Sequence, residues 1–182
     1  MRRRVEHAWY FAYGSNMQTA TFCGRRGIDF TRAITVRAPG WRLVLDKPPL
    51  LPIGEAFANI IPDAQAEVLG VAYQVPIAAL HTIDLTEGVL IGNYERRAVA
   101  VEALNGDAEP VEAFTLLSHR RDARLRPSTR YMALLVEGAI EHGLPTPYVE
   151  YLRGVEACAE SRTAAALRPL LDGAMAILKS TK

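Results

Sequence analysis

The sequence predicts an α+β domain in which a small, mixed but largely antiparallel β-barrel is flanked by helices. Two observations indicate this class. The first two-thirds of the 182 residues alternate short apolar, β-branched runs with glycine and proline, whereas the last third has the spacing of amphipathic helices. The strand candidates are short and rarely separated by helices, which is typical of an antiparallel barrel. They lie at residues 8–12, 34–36, 41–45, 56–61, 68–75, 96–103 and 111–117.

Helices are predicted at four places. The segment from Pro76 to Leu85 has a proline at an early helical position and apolar residues at helical spacing, so that Glu87 falls just beyond its C-terminal end. A second helix stops at Gly143, and Thr146 is the expected N-cap of the third. The last three helices are predicted over residues 128–142, 146–155 and 162–178.

Length and composition limit the classes of partner and function that the sequence is compatible with. The chain is predicted to form one domain over residues 1–182, with frayed ends at residues 1–7 and at the extreme C-terminus. Its 21 basic and 20 acidic residues favour neither a nucleic acid nor an anionic membrane as partner. No run approaches the roughly 20 apolar residues of a membrane span, and the basic N-terminus lacks the apolar stretch of a signal peptide. We therefore expect a cytoplasmic protein that acts on a small molecule.

A polar loop, Tyr13-Gly14-Ser15-Asn16-Met17, follows the first predicted strand. Glycine, serine and asparagine tolerate unusual backbone angles or bond to their own backbone, so the loop could direct backbone N–H groups at an anion. An ordinary turn at the end of a strand is the alternative, and such turns are common. Ser15 is not expected to be a nucleophile, because Met17 stands where a Gly-x-Ser-x-Gly elbow needs its second glycine.

Glu87 is the second candidate, because it is an acidic residue in an otherwise apolar run. Gly88 follows it, and Val89 to Ile91 continue apolar, so its side chain is expected to lie against an apolar wall. Such surroundings, together with the end of a helix, make a carboxylate a stronger proton acceptor. A solvated carboxylate at a helix end is the alternative. The loop and Glu87 together would form an oxyanion site and a general base.

Several segments in collinear order resemble one family. The chain resembles the γ-glutamylcyclotransferases, also described as AIG2-like, from about Trp9 to Val155. Met17 stands where family members often carry leucine, a change that keeps the apolar volume. The matching segments are residues 11–17, 39–43, 58–63, 68–73, 84–89, 127–131 and 142–145.

The resemblance implies a fold, an activity and a site. The fold is a small β-barrel with flanking helices, and the activity is cyclisation of a γ-glutamyl group to 5-oxoproline, with release of the attached amino acid or amine. Glu87 would be the general acid and base, Tyr131 would contact the substrate, and backbone N–H groups of the loop would bind it. The implied loop residues are Tyr13, Gly14, Ser15, Asn16, Met17 and Gln18.

No cofactor is implied, and the scattered histidines and cysteines indicate no metal site. A monomer and a homodimer are both compatible with the family. A noncatalytic protein that binds γ-glutamyl compounds, or a cyclotransferase for a larger specialised substrate, remains the alternative.

The sequence does not identify the amine or amino acid that is released as the leaving group. Loops at residues 47–54 and 119–126 are expected to set it. The second loop is rich in arginine, and Arg124 and Arg126 could bind a carboxylate of the leaving group, although a charged loop is usually solvated. Tyr94, directly after the Glu87 segment, could wall the site or belong to the core.

Overall fold

The computed structural model describes residues 6–106 and 109–180, and over these residues the chain forms a closed barrel. The strands are β1 (His7–Ala12), β2 (Arg32–Lys47), β3 (Phe57–Pro76), β4 (Glu95–Ala103) and β5 (Val111–Leu117). Neighbours follow the order β1-β3-β2-β4-β5, and β5 returns to β1. All neighbouring strands are antiparallel except β5 and β1, which are parallel where Phe114 lies opposite Tyr10. The predicted class is confirmed.

The prediction of seven strands is wrong, because two pairs of candidates are each one continuous strand. Pro39-Gly40 indicates a turn in the sequence, but in the structure β2 continues through it. The pairing register of β2 with β3 shifts between Pro39 and Trp41, and Gly40 has a φ of 79°, which glycine adopts without a steric penalty. Such an irregularity in pairing bends a strand without ending it. The candidates at 34–36 and 41–45 therefore form β2, and those at 56–61 and 68–75 form β3.

All four predicted helices are confirmed, with shifted ends. They are α1 (Ile77–Glu87), α2 (Thr129–Glu141), α3 (Thr146–Arg153) and α4 (Arg162–Ser180). Glu87 was expected just beyond α1, but it is the last residue of that helix, and Gly88 ends the helix with a φ of 71°. The N-cap of α3 is Pro145 and not Thr146. Three short turns were not predicted: a 3-10 turn at Ser15–Met17, a π-helical segment at Ala20–Arg25 and a 3-10 turn at Val89–Ile91.

The ends of the chain are only partly described. The fraying expected at residues 1–5 and at residues 181–182 falls outside the described residues, whereas His7 begins β1 opposite Pro76. Within residues 6–106 and 109–180, no helix combines the length and the apolar character needed to cross a membrane.

The core holds the loop that follows β1. The rings of Phe22 and Tyr73 stack with their centroids 4.4 Å apart, and the Tyr73 hydroxyl donates to the Met17 carbonyl over 2.7 Å. Gly138 of α2 lies so close to this loop that an added Cβ would be 2.6 Å from the Gln18 nitrogen. The loop is therefore fixed between the barrel and α2.

Candidate active site

A cavity of about 350 Å³ lies where the end of β1, the C-terminal end of α1, and helices α2 and α4 meet. Six of the eight site residues predicted from the sequence line it, and Met17 and Gln18 do not. The six are Tyr13, Gly14, Ser15, Asn16, Glu87 and Tyr131. The structure thus brings the polar loop, the carboxylate and the tyrosine to one cavity.

The loop contributes fewer free amides than the sequence predicted. The amide of Met17 donates to the Gly14 carbonyl over 3.0 Å, and that of Gln18 donates to the Ser15 carbonyl over 3.2 Å. These are the i to i+3 bonds of a 3-10 turn, so neither amide can bind a substrate in this conformation. The Met17 side chain is fully buried in the core, and the Gln18 side chain donates to Glu137 on α2. We correct the prediction for these two residues accordingly.

Glu87 is held by two polar partners. Its Oε1 accepts a hydrogen bond from Asn16 Nδ2 over 2.8 Å and lies 2.9 Å from Arg26 Nη2. Arg26 Nε also donates to Asn16 Oδ1 over 2.7 Å, which closes the triangle. The Glu87 and Arg26 side chains are only 13% and 9% exposed. Charge-assisted bonds of this kind stabilise an ionised carboxylate and fix its orientation.

Two of the three residues expected to form an apolar wall beside Glu87 are exposed. Leu90 and Ile91 are 73% and 69% exposed, because Val89–Ile91 forms a 3-10 turn that follows the helix. The side-chain amide of Asn93 donates to the Glu87 carbonyl over 2.9 Å, so this segment folds back on the end of α1. The carboxylate itself contacts the polar side chains of Asn16 and Arg26.

Tyr131 connects the loop to the barrel. Its hydroxyl accepts from the Ala58 amide over 3.0 Å, and an added Cβ on Gly14 would lie 3.2 Å from the same oxygen. The Ser128 hydroxyl caps α2 by accepting from the Tyr131 amide. Tyr94, which the sequence left undecided, lines the cavity and donates to the Ala58 carbonyl over 3.2 Å. The phenols are therefore positioned by backbone groups of β3.

Sequence reasoning gave no individual role to two basic residues of the cavity, Arg26 and Lys47, although Lys47 begins the loop at residues 47–54 that it expected to set the leaving group. Arg26 directly follows the unpredicted π-helical segment, and Lys47 is the last residue of β2. Neither belongs to a motif or to a periodic pattern, so no local signal marks them. Arg25 and Arg130 also line the cavity.

The two arginines proposed from the sequence to bind a carboxylate have other partners. Arg124 Nη2 lies 2.8 Å from Asp122 Oδ2, and Arg126 Nη1 donates to the Ala123 carbonyl over 2.9 Å. Neither side chain lines the cavity. The structure gives no support to a carboxylate clamp at these positions.

Four tyrosines around the cavity have perturbed acidities. Burial raises the pKa of Tyr131 to about 12, with the Ala58 amide opposing and the Glu87 carboxylate reinforcing this effect. Burial also raises the pKa of Tyr10, Tyr13 and Tyr94 well above the ordinary value, and the charge of Glu87 acts in the same direction on each. These phenols remain neutral hydrogen-bond donors at physiological pH.

We expect the protein to lose stability steeply above pH 10. Each of these phenols has a higher pKa in the folded chain than in the unfolded chain, so above the ordinary value of 10.0 the folded chain binds more protons. The stability is present in full below pH 10 and is lost as the pH rises through the folded values. Tyr131 alone accounts for about 3 kcal/mol at most. Melting temperatures measured across this range, beside the ultraviolet absorbance of tyrosinate, check the prediction.

The matched pair for this measurement is Tyr94→Phe and Tyr151→Phe. Tyr94→Phe removes one phenol whose pKa is raised in the folded chain, so it should lessen the loss of stability at alkaline pH. Tyr151 is half exposed, and its replacement should leave that loss unchanged. Folded protein that forms tyrosinate fully at pH 10 without a lower melting temperature would contradict the prediction.

Comparisons with known proteins agree with the fold. A model of the AIG2-like family matches residues 67–152. The γ-glutamyl cyclotransferase aclK of Aspergillus oryzae is 27% identical over 168 residues, which cover 82% of this chain and 62% of that protein. The human γ-glutamylcyclotransferase is 27% identical over 161 residues, covering 81% of this chain and 78% of that protein. This chain therefore spans less than two-thirds of the fungal relative.

A solved structure of a γ-glutamyl cyclotransferase superposes with a TM-score of 0.75 at 25% identity, over 89% of this chain and 98% of that one. The fold is thus that of a γ-glutamylcyclotransferase-type barrel. The chain is similar to members of the γ-glutamylcyclotransferase, or AIG2-like, family.

Proposed function

We propose that the protein is a γ-glutamylcyclotransferase that converts a γ-glutamyl group to 5-oxoproline and releases the attached amino acid or amine. The observation that carries the proposal is the position of Glu87, whose oriented carboxylate lines the same cavity as the Gly14–Asn16 loop and Tyr131. The names of the relatives support it, since both are called γ-glutamyl cyclotransferases.

The reaction is an intramolecular acyl transfer. The free α-amine of the γ-glutamyl group attacks its own γ-carbonyl carbon, a C–N bond closes the five-membered ring, and the original γ-amide bond breaks. One proton leaves the attacking nitrogen and one proton is delivered to the departing nitrogen. Holding the substrate folded supplies much of the rate, because both reacting groups belong to one molecule.

Glu87 is the group that moves the proton. Asn16 and Arg26 both contact Oε1, so Oε2 is the oxygen available to the substrate ammonium. A positioned carboxylate can accept the proton from the attacking nitrogen and return it to the leaving nitrogen. Arg26 and Asn16 are positioning residues in this scheme, because they act through Glu87.

The loop binds the part of the substrate that becomes negative. Gly14, Ser15 and Asn16, which precede Met17, line the cavity together with Tyr131, and an added Cβ on Gly14 would lie 3.2 Å from the Tyr131 hydroxyl. Backbone N–H groups and phenols that are fixed before the reaction stabilise a developing oxyanion, since no reorganisation is needed during the step. The substrate carboxylate would be held by the same loop.

Release of 5-oxoproline from a panel of γ-glutamyl amino acids, γ-glutamyl amines and glutathione tests the function. We expect release from at least one member, with equimolar appearance of the departing amine. Binding of panel members without release by a folded protein would favour the noncatalytic binding protein. If a folded protein neither binds nor cyclises any panel member, the proposal is contradicted for the compounds tested. The site would then be restricted to a larger specialised γ-glutamyl substrate.

A further inference from the structure

The cavity contains a buried lysine that the proposed reaction does not use. Lys47 is only 1% exposed, and it lines the cavity at the end of β2. Its ammonium group donates to Asn93 Oδ1 and lies 4.2 Å from the centre of the Tyr94 ring. Both partners are neutral.

Lys47 has no carboxylate partner among the residues that the structure describes. Glu87, whose charge acts on Lys47, pairs with Arg26, and Asp46, the preceding residue, pairs with Arg121. A buried charge without an opposite charge is costly. An anion from outside the chain would therefore be favourable here.

A second cation increases the positive potential at this corner. Arg120 Nη1 lies 3.4 Å from Asn93 Oδ1, the oxygen that also accepts from Lys47. Its Nη2 donates to the Pro49 carbonyl over 3.0 Å, which keeps the guanidinium beside the loop that follows Lys47. Two cations thus converge on one neutral acceptor. Low-dielectric walls around such a pair strengthen the attraction for an anion.

The acidity of Lys47 is consistent with this environment. Burial, with the charge of Arg120 acting in the same direction and the carboxylate of Glu87 opposing both, lowers the pKa of Lys47 to about 8. The ammonium is still mostly charged at neutral pH. A carboxylate bound beside it would favour the charged form.

The surface next to Lys47 is apolar. Leu50 and Leu51 line the cavity although each is 47% exposed, and Ile53 and Phe57 extend the same wall. The γ-glutamyl group carries no apolar branch that could cover these side chains. They therefore suit the other half of a substrate.

We propose that Lys47 is a specificity-determining residue that binds a carboxylate on the departing half of the substrate, while the Leu50–Phe57 wall receives an apolar portion of that half. The inference rests on the proposed function. The loop at residues 47–54 thus sets the leaving group through one buried cation and an apolar wall. The arginine-rich loop at residues 119–126 contributes only Arg120, which contacts the same Asn93 oxygen as Lys47.

Two substrates that differ by one carboxylate test the inference. They are γ-glutamyl-leucine and γ-glutamyl-3-methylbutylamide, which present the same apolar branch. We compare kcat and KM for both in the native protein, in Lys47→Met and in Lys47→Arg. Lys47→Met should reduce kcat/KM for the leucine compound about tenfold to a hundredfold, mainly through KM, as expected for loss of a charged hydrogen bond. The amide lacking the carboxylate should be nearly unaffected, and Lys47→Arg should retain the preference.

If Lys47→Met lowers kcat/KM equally for both substrates, or lowers it for neither, the inference is overturned. Should Lys47→Met not fold, the native protein provides a second test, since raising the pH from about 7 to about 9 neutralises a lysine of this acidity. The ratio of the two kcat/KM values should fall toward one over that range. Any effect of pH on the γ-glutamyl half, which the two compounds share, acts on both of them and cancels in the ratio. A constant ratio would overturn the inference.

Failure of the proposed function gives a different result. If neither compound releases 5-oxoproline, the cyclotransferase proposal fails. The same pair is then compared by binding calorimetry with the native protein and Lys47→Met. A preference for the leucine compound that disappears in Lys47→Met would support the anion site by itself, and equal binding of the two compounds would overturn it.

Discussion

Replacing Glu87 with glutamine is expected to lower the rate of 5-oxoproline release by about a hundredfold to ten-thousandfold, the usual contribution of a general acid and base. The amide cannot take a proton from the attacking nitrogen. Its oxygen can still accept from Asn16 and Arg26, the two groups that hold Oε1 in place. The fold should therefore persist, and the loss should be in kcat and not in substrate binding.

Glu112→Gln is the matched control. Glu112 is exposed on β5 and does not line the cavity, so this variant should release 5-oxoproline at the native rate. Melting temperatures and the affinity for a γ-glutamyl compound establish that the Glu87→Gln site is intact. Turnover that survives in Glu87→Gln would show that another group moves the proton, and the base assignment would be abandoned.

Replacing Gly138 with alanine is expected to destabilise the fold by roughly 1–3 kcal/mol, as overpacking does, and to displace the loop that follows β1. The new Cβ would lie 2.6 Å from the Gln18 nitrogen, and 2.7 and 2.8 Å from two atoms of Met17. Backbone at these positions cannot yield easily, because Tyr73 holds the Met17 carbonyl from the other side. The sign of the change in the free energy of unfolding distinguishes the two effects, because alanine inside a helix is normally up to about 1 kcal/mol more stabilising than glycine.

Gly173→Ala on α4 provides the comparison. No atom lies within 4 Å of a Cβ added there, so the helix propensity of alanine should leave this variant neutral or slightly more stable. Chemical denaturation measures both free energies of unfolding, and the 5-oxoproline assay reports the position of the loop. A Gly138→Ala protein as stable and as active as the native one would mean that α2 and the loop separate without cost.

The sequence predicted the elements of the fold better than their continuity. The four helices were predictable because capping residues and helical spacing are local signals. The merging of strand candidates into β2 and β3 was not, since Pro39-Gly40 is equally compatible with a turn and with an irregularity inside a continuous strand. The partner strand decides between them, and it lies far along the chain.

The site was predictable where a motif marked it. The loop at Tyr13–Asn16, Glu87 and Tyr131 were all proposed from the sequence, and the structure places them around one cavity. The ion pair of Arg26 with Glu87 was not predictable, because an isolated arginine carries no information about a carboxylate 61 residues away along the chain. The same holds for Lys47, whose partner Asn93 lies 46 residues farther along the chain.

Closure of the barrel has a consequence for folding kinetics. The Tyr13 hydroxyl donates to the Leu116 carbonyl, 103 residues farther along the chain, and β1 joins β5 beside this bond. Contacts of such sequence separation form slowly, because the entropy of closing the intervening chain is lost before they stabilise anything. Since Tyr13 stands between the closure and the loop, the cavity takes shape only when the two ends of the barrel meet. During biosynthesis, a partly synthesised chain would therefore hold no cavity until β5 had been made.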